Sequence, residues 1–177
     1  MVDGQRGPNV LVTGTPGTGK TSTCALLASA TRLNHINIGE LVQGLELHDG
    51  WDDQLQCLVI NEDLVIDHLE EKMSAGGNVV DYHGCDFFPE RWFDVVVVLQ
   101  TKTAVLYDRL SNRGYMDQKL QNNIECEIFQ VLLEEARESY NKDIILALPS
   151  DTIEDMSNNV GLLKEWLRTN APSYLID

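Results

Sequence analysis

The sequence predicts an α/β fold in which helices cover both faces of a parallel sheet. Three observations predict it. The runs Asn9–Thr13, Asn78–Tyr82 and Asp94–Leu99 are apolar without alternation, as expected of strands buried on both faces. Longer stretches of helical spacing separate them, and strand–helix alternation calls for parallel strands joined by right-handed crossovers. A glycine-rich turn follows the first run directly and opens the first helical stretch. With 177 residues, no internal repeat and no linker-like tract, the chain reads as one domain over residues 1–177.

The elements follow in order. Asn9–Thr13 is a β-branched strand, and Lys20 to about Arg32 a helix of small and apolar residues. His35–Ile38 is a short strand and Gly39 to about Leu47 a helix. Residues 48–60 have no clear period and read as a loop. Asn61 caps a helix through Met73 whose stripe is Leu64, Val65, His68 and Leu69, and Gly76 and Gly77 stop it. After the strands at Asn78–Tyr82 and Asp94–Leu99, Thr101 or Thr103 caps a helix that ends before Gly114. One long helix is expected from about Asp117 to Tyr140. Ile144–Leu148 is the last strand, and Asp151 or Thr152 begins the closing helix.

Composition narrows the function classes. The chain is 43 % hydrophobic and 23 % charged, which suits a globular protein with a full core. Its longest apolar stretch, Val95–Leu99, is a strand's length, so no membrane association is expected. The first ten residues lack the layout of a secretory leader, which places the chain inside the cell. Thirteen basic residues against 28 acidic ones give a net charge of −15. Nucleic-acid affinity comes from neutralising phosphates, so no nucleic-acid binding is expected, sequence-specific or otherwise, and a basic partner suits the chain better. Cys24, Cys57, Cys85 and Cys126 contain no CxxC pair, which argues against a zinc cluster or a disulfide framework and for reduced, mostly buried thiols.

Gly14-Thr15-Pro16-Gly17-Thr18-Gly19-Lys20-Thr21 matches GxxxxGK[ST] in full. The glycines let the backbone approach phosphate oxygens, and successive N–H groups form an anion nest at the positive end of the following helix. Lys20 reaches the β- and γ-phosphates, the Thr21 hydroxyl ligates Mg²⁺, and Ser22 is placed near the α-phosphate. The motif lies between a strand and a helix, the context that gives it meaning, so the chain binds a nucleoside triphosphate.

A second acidic element is expected at the end of a buried strand, where it orders the water shell of the metal. Asp81 fits, acting on Mg²⁺ through water; the alternative is an aspartate that caps a turn. Asp81-Tyr82-His83-Gly84 also matches the DxxG of GTPases, but Asn141-Lys142-Asp143 misplaces the aspartate of NKxD and precedes the last strand, so a GTPase is rejected. His83 either orients or deprotonates water near the γ-phosphate or makes a hydrogen bond within its turn. Arg109 and Arg113, four residues apart, share one helix face. Such paired guanidinium groups can stack on a purine and neutralise charge during phosphoryl transfer, as at the base of a nucleotide-kinase lid; the alternative is a solvated helix face.

Between Leu33 and Glu71 there is no Lys or Arg, while the stretch carries ten acids. In a nucleotide kinase this segment forms the arm that receives AMP, whose phosphate normally meets arginine. Arg91 is the basic residue available from elsewhere. An acidic arm suits a basic protein; a solvated acidic surface is the plainer reading.

With these residues in view, the chain resembles the adenylate kinase isoenzyme 6 family, also called coilin-interacting nuclear ATPase, from about Pro8 to the closing helix. Its specific stretches are Val80-Asp81-Tyr82-His83-Gly84-Cys85-Asp86-Phe87-Phe88-Pro89-Glu90-Arg91-Trp92-Phe93 and Asn122-Asn123-Ile124-Glu125-Cys126-Glu127-Ile128-Phe129-Gln130-Val131-Leu132. The resemblance implies a P-loop NTPase with an adenylate-kinase-like five-stranded parallel sheet, a monophosphate-binding arm over 37–60 and a short lid over 112–122. It implies transfer from ATP to AMP or other nucleoside monophosphates, with Mg²⁺, beside an intrinsic ATPase. It puts Gly17, Gly19, Lys20, Thr21, Ser22 and Arg113 on ATP, and makes Lys20, Asp81, His83 and Arg109 the candidate catalytic groups. Asn37, Gly39 and Arg91 are the candidates for the monophosphate. It further implies a monomer in nucleus and cytoplasm that acts in small ribosomal subunit maturation and binds a basic small-subunit ribosomal protein. The alternative is a nucleotide-gated assembly factor whose ATPase times release of that protein, with little true AMP kinase activity. The family pattern has a basic residue shortly after the Gly-acidic-Leu of the arm; here Gly39-Glu40-Leu41 is followed by Val42 and Gln43.

Overall fold

The computed structural model describes residues 6–177. The leader reading rests partly on residues 1–5, which lie outside those described. The central sheet has five strands: β1 (Asn9–Thr13), β2 (Asn34–Asn37), β5 (Asn78–Asp81), β6 (Val95–Gln100) and β7 (Ile145–Pro149). Their order is β2-β5-β1-β6-β7 and every pairing is parallel, as the unalternating apolar runs predict. Register places Val12 beside Asp81 and Asn37 beside Asp81 on the other edge, so the carboxyl ends of β1, β2 and β5 meet at one rim.

The pleat of the strands divides the core into two layers. On one face Leu11, Ile36, Val80, Val96 and Val98 pack with Val65, Leu69 and Met73 of α3 (Glu62–Ala75) and with Phe88, Trp92 and Phe93. On the other, Val10, Val12, Val79, Val95, Val97 and Leu99 meet Cys24 and Leu27 of α1 (Lys20–Ser29) and Val160, Leu163 and Leu167 of α7 (Ile153–Asn170). Each such side chain contributes about 1.5–3 kcal/mol by leaving water, enough in sum to fix strand order. Among the described residues no helix is long and apolar enough to cross a membrane.

Local signals hold where they rest on backbone chemistry. The Asn61 side chain accepts from the Leu64 N–H and caps α3, and Gly76, at φ 77°, ends it. Thr152 caps α7 in a box with Asp155. Neither Thr101 nor Thr103 caps α4 (Thr103–Asn112): Lys102 is its cap residue, and the Thr101 hydroxyl donates to Ser150 O instead.

Three expectations are corrected. Residues 48–60 are an antiparallel hairpin, β3 (His48–Asp52) with β4 (Cys57–Ile60), joined through Trp51–Leu58 and Asp52–Cys57 pairs. The Asp52 carboxylate accepts from the Gln54 and Leu55 N–H groups at its turn. Cys57-Leu58-Val59-Ile60 is apolar throughout, which hides the alternation: Leu58 and Ile60 turn inward while Cys57 and Val59 are exposed. The long helix is broken into α5 (Asp117–Ile128) and α6 (Val131–Ser139) by Gln130, at φ 52° and ψ 41°. The break lets α6 bury Leu132, Leu133 and Ala136 while α5 buries nothing. On α3 the buried stripe is Val65, Leu69 and Met73, and Leu64 and His68 face solvent. The short α2 (Ile38–Gly44) links β2 to the hairpin. Among the thiols, Cys24 and Cys85 are buried and Cys57 is exposed.

Candidate active site

The site begins where β1 stops. From Gly14 the chain wraps in a loop that ends at Gly19, the cap residue of α1, at φ 91° with no side-chain cap bond. The first N–H groups of α1 therefore face the loop's interior without a capping oxygen. Gly17 is also at φ 91°, and a Cβ there would stand 2.9 Å from methyl groups of Leu106 and Leu110. The loop thus lies flat on α4, and only glycine permits it. Lys20 Nζ donates to Gly14 O (3.0 Å) and Thr15 O (3.2 Å), which folds the ammonium over the nest. Desolvation lowers its pKa to about 8 against the opposing pull of Asp81. The Thr15 hydroxyl is buried beneath the loop and approaches the Cys126 thiol of α5.

Asp81, at the rim end of β5, is 3 % exposed. Asn37 Nδ2 donates to its Oδ2 (3.1 Å) and to the Thr21 hydroxyl (3.3 Å), while Asn37 Oδ1 accepts from the Glu40 N–H and caps α2. One amide thus ties the Thr21 hydroxyl, the Asp81 carboxylate and the start of α2 together. His35 Nε2 stands 3.2 Å from the same Asp81 oxygen. These hard oxygen donors suit Mg²⁺ and its retained waters. Thr13 Oγ1 donates to His83 O and fixes the turn after β5. Desolvation first, and then the Lys20 ammonium, hold the His83 imidazole well below the ordinary histidine range. The ring is therefore neutral at pH 7.

These groups open onto a cavity of about 710 Å³ lined by the loop, α2, the hairpin and α5. It gathers Lys20, Thr21, Asn37, Gly39, Asp81, His83 and Arg113 from the sequence-based candidates. Gly17 and Gly19 shape the loop behind it, and Ser22 is exposed on α1 outside the lining residues.

Two arginines lie elsewhere. Arg91 Nη2 is 2.7 Å from Glu70 Oε1 on α3, a pairing that lowers the Glu70 pKa, so its guanidinium does not face the cavity. Arg109 Nη1 donates to Gly17 O (3.2 Å) and Ser150 O (2.8 Å), and Nη2 to Asp151 O (2.9 Å). It ties the phosphate loop to the loop after β7.

Sequence reasoning missed Lys119. Its Nζ lies 4.5 Å from the centre of the Tyr115 ring and donates to Gln56 O at the hairpin tip (3.2 Å), so α5 bridges to the hairpin. Two signals were present: Lys119 is the one basic residue between Arg113 and Arg137, and it follows Tyr115 at i+4 spacing. Asn122, Asn123 and Cys126 line the cavity from the same helix.

A family profile described as an AAA domain matches residues 10–130. The fold is similar to that of a shikimate kinase from Bacteroides thetaiotaomicron, with a TM-score of 0.62 at 18 % identity over 91 % of this chain and 98 % of that one. A gluconokinase from Sinorhizobium meliloti gives 0.52 at 17 % identity, covering 94 % and 99 %. In sequence, the Dictyostelium discoideum protein named adenylate kinase isoenzyme 6 homolog is 53 % identical over 161 residues, 91 % of this chain and 92 % of that protein. The Caenorhabditis elegans protein of the same name is 50 % identical over 158 residues, 88 % and 87 % of the two chains. The phosphate loop, the parallel sheet around it and these relatives lead to one conclusion: the chain is a phosphotransferase of the P-loop kinase fold and belongs to the adenylate kinase isoenzyme 6 family.

Proposed function

We propose that the protein transfers the γ-phosphoryl group of ATP to a nucleoside monophosphate, AMP foremost, and hydrolyses ATP when water takes the acceptor's place. The observation that carries this reading is a single cavity with two different walls. Lys20, Thr21, Asp81 and Arg113 stand on the triphosphate side, and α2 with the hairpin stands on the other.

The phosphate-loop N–H groups and Lys20 bind and orient the β- and γ-phosphates, and Lys20 exchanges its loop carbonyls for phosphate oxygens. The Thr21 hydroxyl and, through water, the Asp81 carboxylate would hold Mg²⁺, which would supply positive charge to the transferring phosphates. Arg113 adds a further cation at the cavity wall. Neutral His83 accepts a hydrogen bond from the attacking water in the hydrolytic mode. The hairpin and α5, bridged by Lys119, exclude stray water from the transfer.

A specific feature favours the second reading, an ATPase that times release of a basic small-subunit ribosomal protein during subunit maturation in nucleus and cytoplasm. The arm offers the acceptor no cation: Val42 lines the cavity and Gln43 follows it, and Lys119 is the charge that reaches this side. The same arm carries exposed Glu46, Asp49 and Asp53 with exposed Trp51 and Leu55, a face suited to a basic protein.

One assay separates the two: ADP and phosphate are followed together from Mg·ATP, with and without AMP. ADP rising well above phosphate on addition of AMP is the expected result. Phosphate keeping pace with ADP, with AMP making no difference, overturns the kinase reading in favour of the ATPase.

A further inference from the structure

Beside the Asp81 carboxylate lie two donors that phosphoryl transfer does not use. Cys24 follows Lys20 by one helical turn, so its thiol lies on the same face of α1, one turn deeper. His35 precedes Asn37 by two residues on β2 and shares its side of the strand. Asp81 ends the neighbouring strand β5. Cys24 Sγ, a ring nitrogen of His35 and a carboxylate oxygen of Asp81 all lie within 4.8 Å of one another.

We propose that Cys24, His35 and Asp81 form a binding site for a thiophilic divalent cation of the Zn²⁺ class, distinct in chemistry from the Mg²⁺ position that Asp81 serves with Thr21. Sulfur, imidazole nitrogen and carboxylate oxygen are the ligand types that favour Zn²⁺ over Mg²⁺, which takes oxygen alone. Zn–S and Zn–N bonds of about 2.3 and 2.0 Å put tetrahedral donors roughly 3.5 Å apart, so side-chain rotation closes the set. Cys24 and Asp81 are 0 % and 3 % exposed, whereas the His35 side chain is 21 % exposed and gives the ion its way in. Three protein ligands leave a fourth position for water. Burial pushes the Cys24 thiol pKa up, so it is protonated beforehand; on binding, the S–H bond breaks, the S–metal bond forms and one proton goes to solvent. An ion held here takes the Asp81 carboxylate from its place beside Thr21 and stops nucleotide turnover. That consequence rests on the proposed role of Asp81; the binding does not.

Co²⁺ titrated into the nucleotide-free, Mg²⁺-free protein is the test. The expected result is a near-ultraviolet thiolate-to-cobalt band with strong visible bands of a four-coordinate site, bleached by Zn²⁺. The thiolate band disappears in Cys24→Ala, cobalt affinity falls at least about tenfold in His35→Gln, and both are retained in Cys57→Ala and Cys126→Ala. No thiolate band in the parent protein, or one that survives Cys24→Ala, overturns the site. Should Cys24→Ala fail to fold, His35→Gln decides, and unchanged cobalt affinity there overturns it. Zn²⁺ that binds at Cys24 yet leaves ATP turnover intact refutes the role of Asp81 and leaves the site standing.

Discussion

Arg109→Ala separates two ways in which an arginine serves a phosphate site. A guanidinium that meets transferring phosphate acts on rate, whereas one bound to backbone carbonyls acts on the shape of the loop. Arg109 donates to Gly17 O, Ser150 O and Asp151 O, which makes it a tie between two loops. A hydrogen bond from a charged donor is worth about 1.5–3 kcal/mol, but here the group is half-buried and Ser150 O keeps the Thr101 hydroxyl. Discounting for both, the substitution costs about 2–4 kcal/mol, or roughly 4–16 °C in Tm for a chain of this size. Urea unfolding and calorimetry measure the loss, and the Kd of a non-hydrolysable ATP analogue reports the state of the loop. Arg109→Lys, with a single point charge, recovers only part of the stability. Stability within about 0.5 kcal/mol of the parent, combined with a large fall in turnover, refutes the tie and returns Arg109 to the phosphates.

Three further outcomes follow from the site. Lys20 loses its proton as pH rises through about 8, and bound polyphosphate favours the charged form. ATP-analogue affinity is therefore flat below that pH and falls by up to about tenfold per unit above it; Lys20→Arg is flat throughout, and a parent curve flat to high pH contradicts the argument. His83→Gly lowers phosphate release at least about tenfold with nucleotide Kd unchanged, and an equal loss of binding reduces His83 to a turn residue. Gly17→Ala places a methyl group 2.9 Å from Leu106 and Leu110 at a positive φ and costs about 1–3 kcal/mol in urea unfolding, whereas a neutral result denies the close approach of loop and helix.

The sequence carries most clearly what the backbone itself dictates. The β1–loop–α1 unit follows from a β-branched run, three glycines and a lysine, and the caps at Asn61 and Thr152 follow from side chains that satisfy orphan N–H groups. The hairpin at 48–60 was hidden because both faces of β4 are apolar, one for the core and one exposed. The break at Gln130 has no glycine or proline to announce it; tertiary packing of Leu132, Leu133 and Ala136 forces a residue with a Cβ into the left-handed region. The arginines show the same limit: spacing marks Arg109 and Arg113 and the lack of other cations marks Arg91, yet Glu70 engages Arg91 and backbone carbonyls engage Arg109, leaving Arg113 in the cavity wall. Lys119 escaped notice because its partner is a carbonyl contributed by a distant turn.

That carbonyl makes the bridge tolerant of substitution. Lys119 reaches across to the main chain of Gln56, not to its side chain, so the bridge sets no chemical requirement on the identity of residue 56. Gln56 sits at φ 53°, where glycine or asparagine is at least as comfortable. A substitution at the hairpin tip can therefore change its charge or size and still leave the bridge to α5 in place.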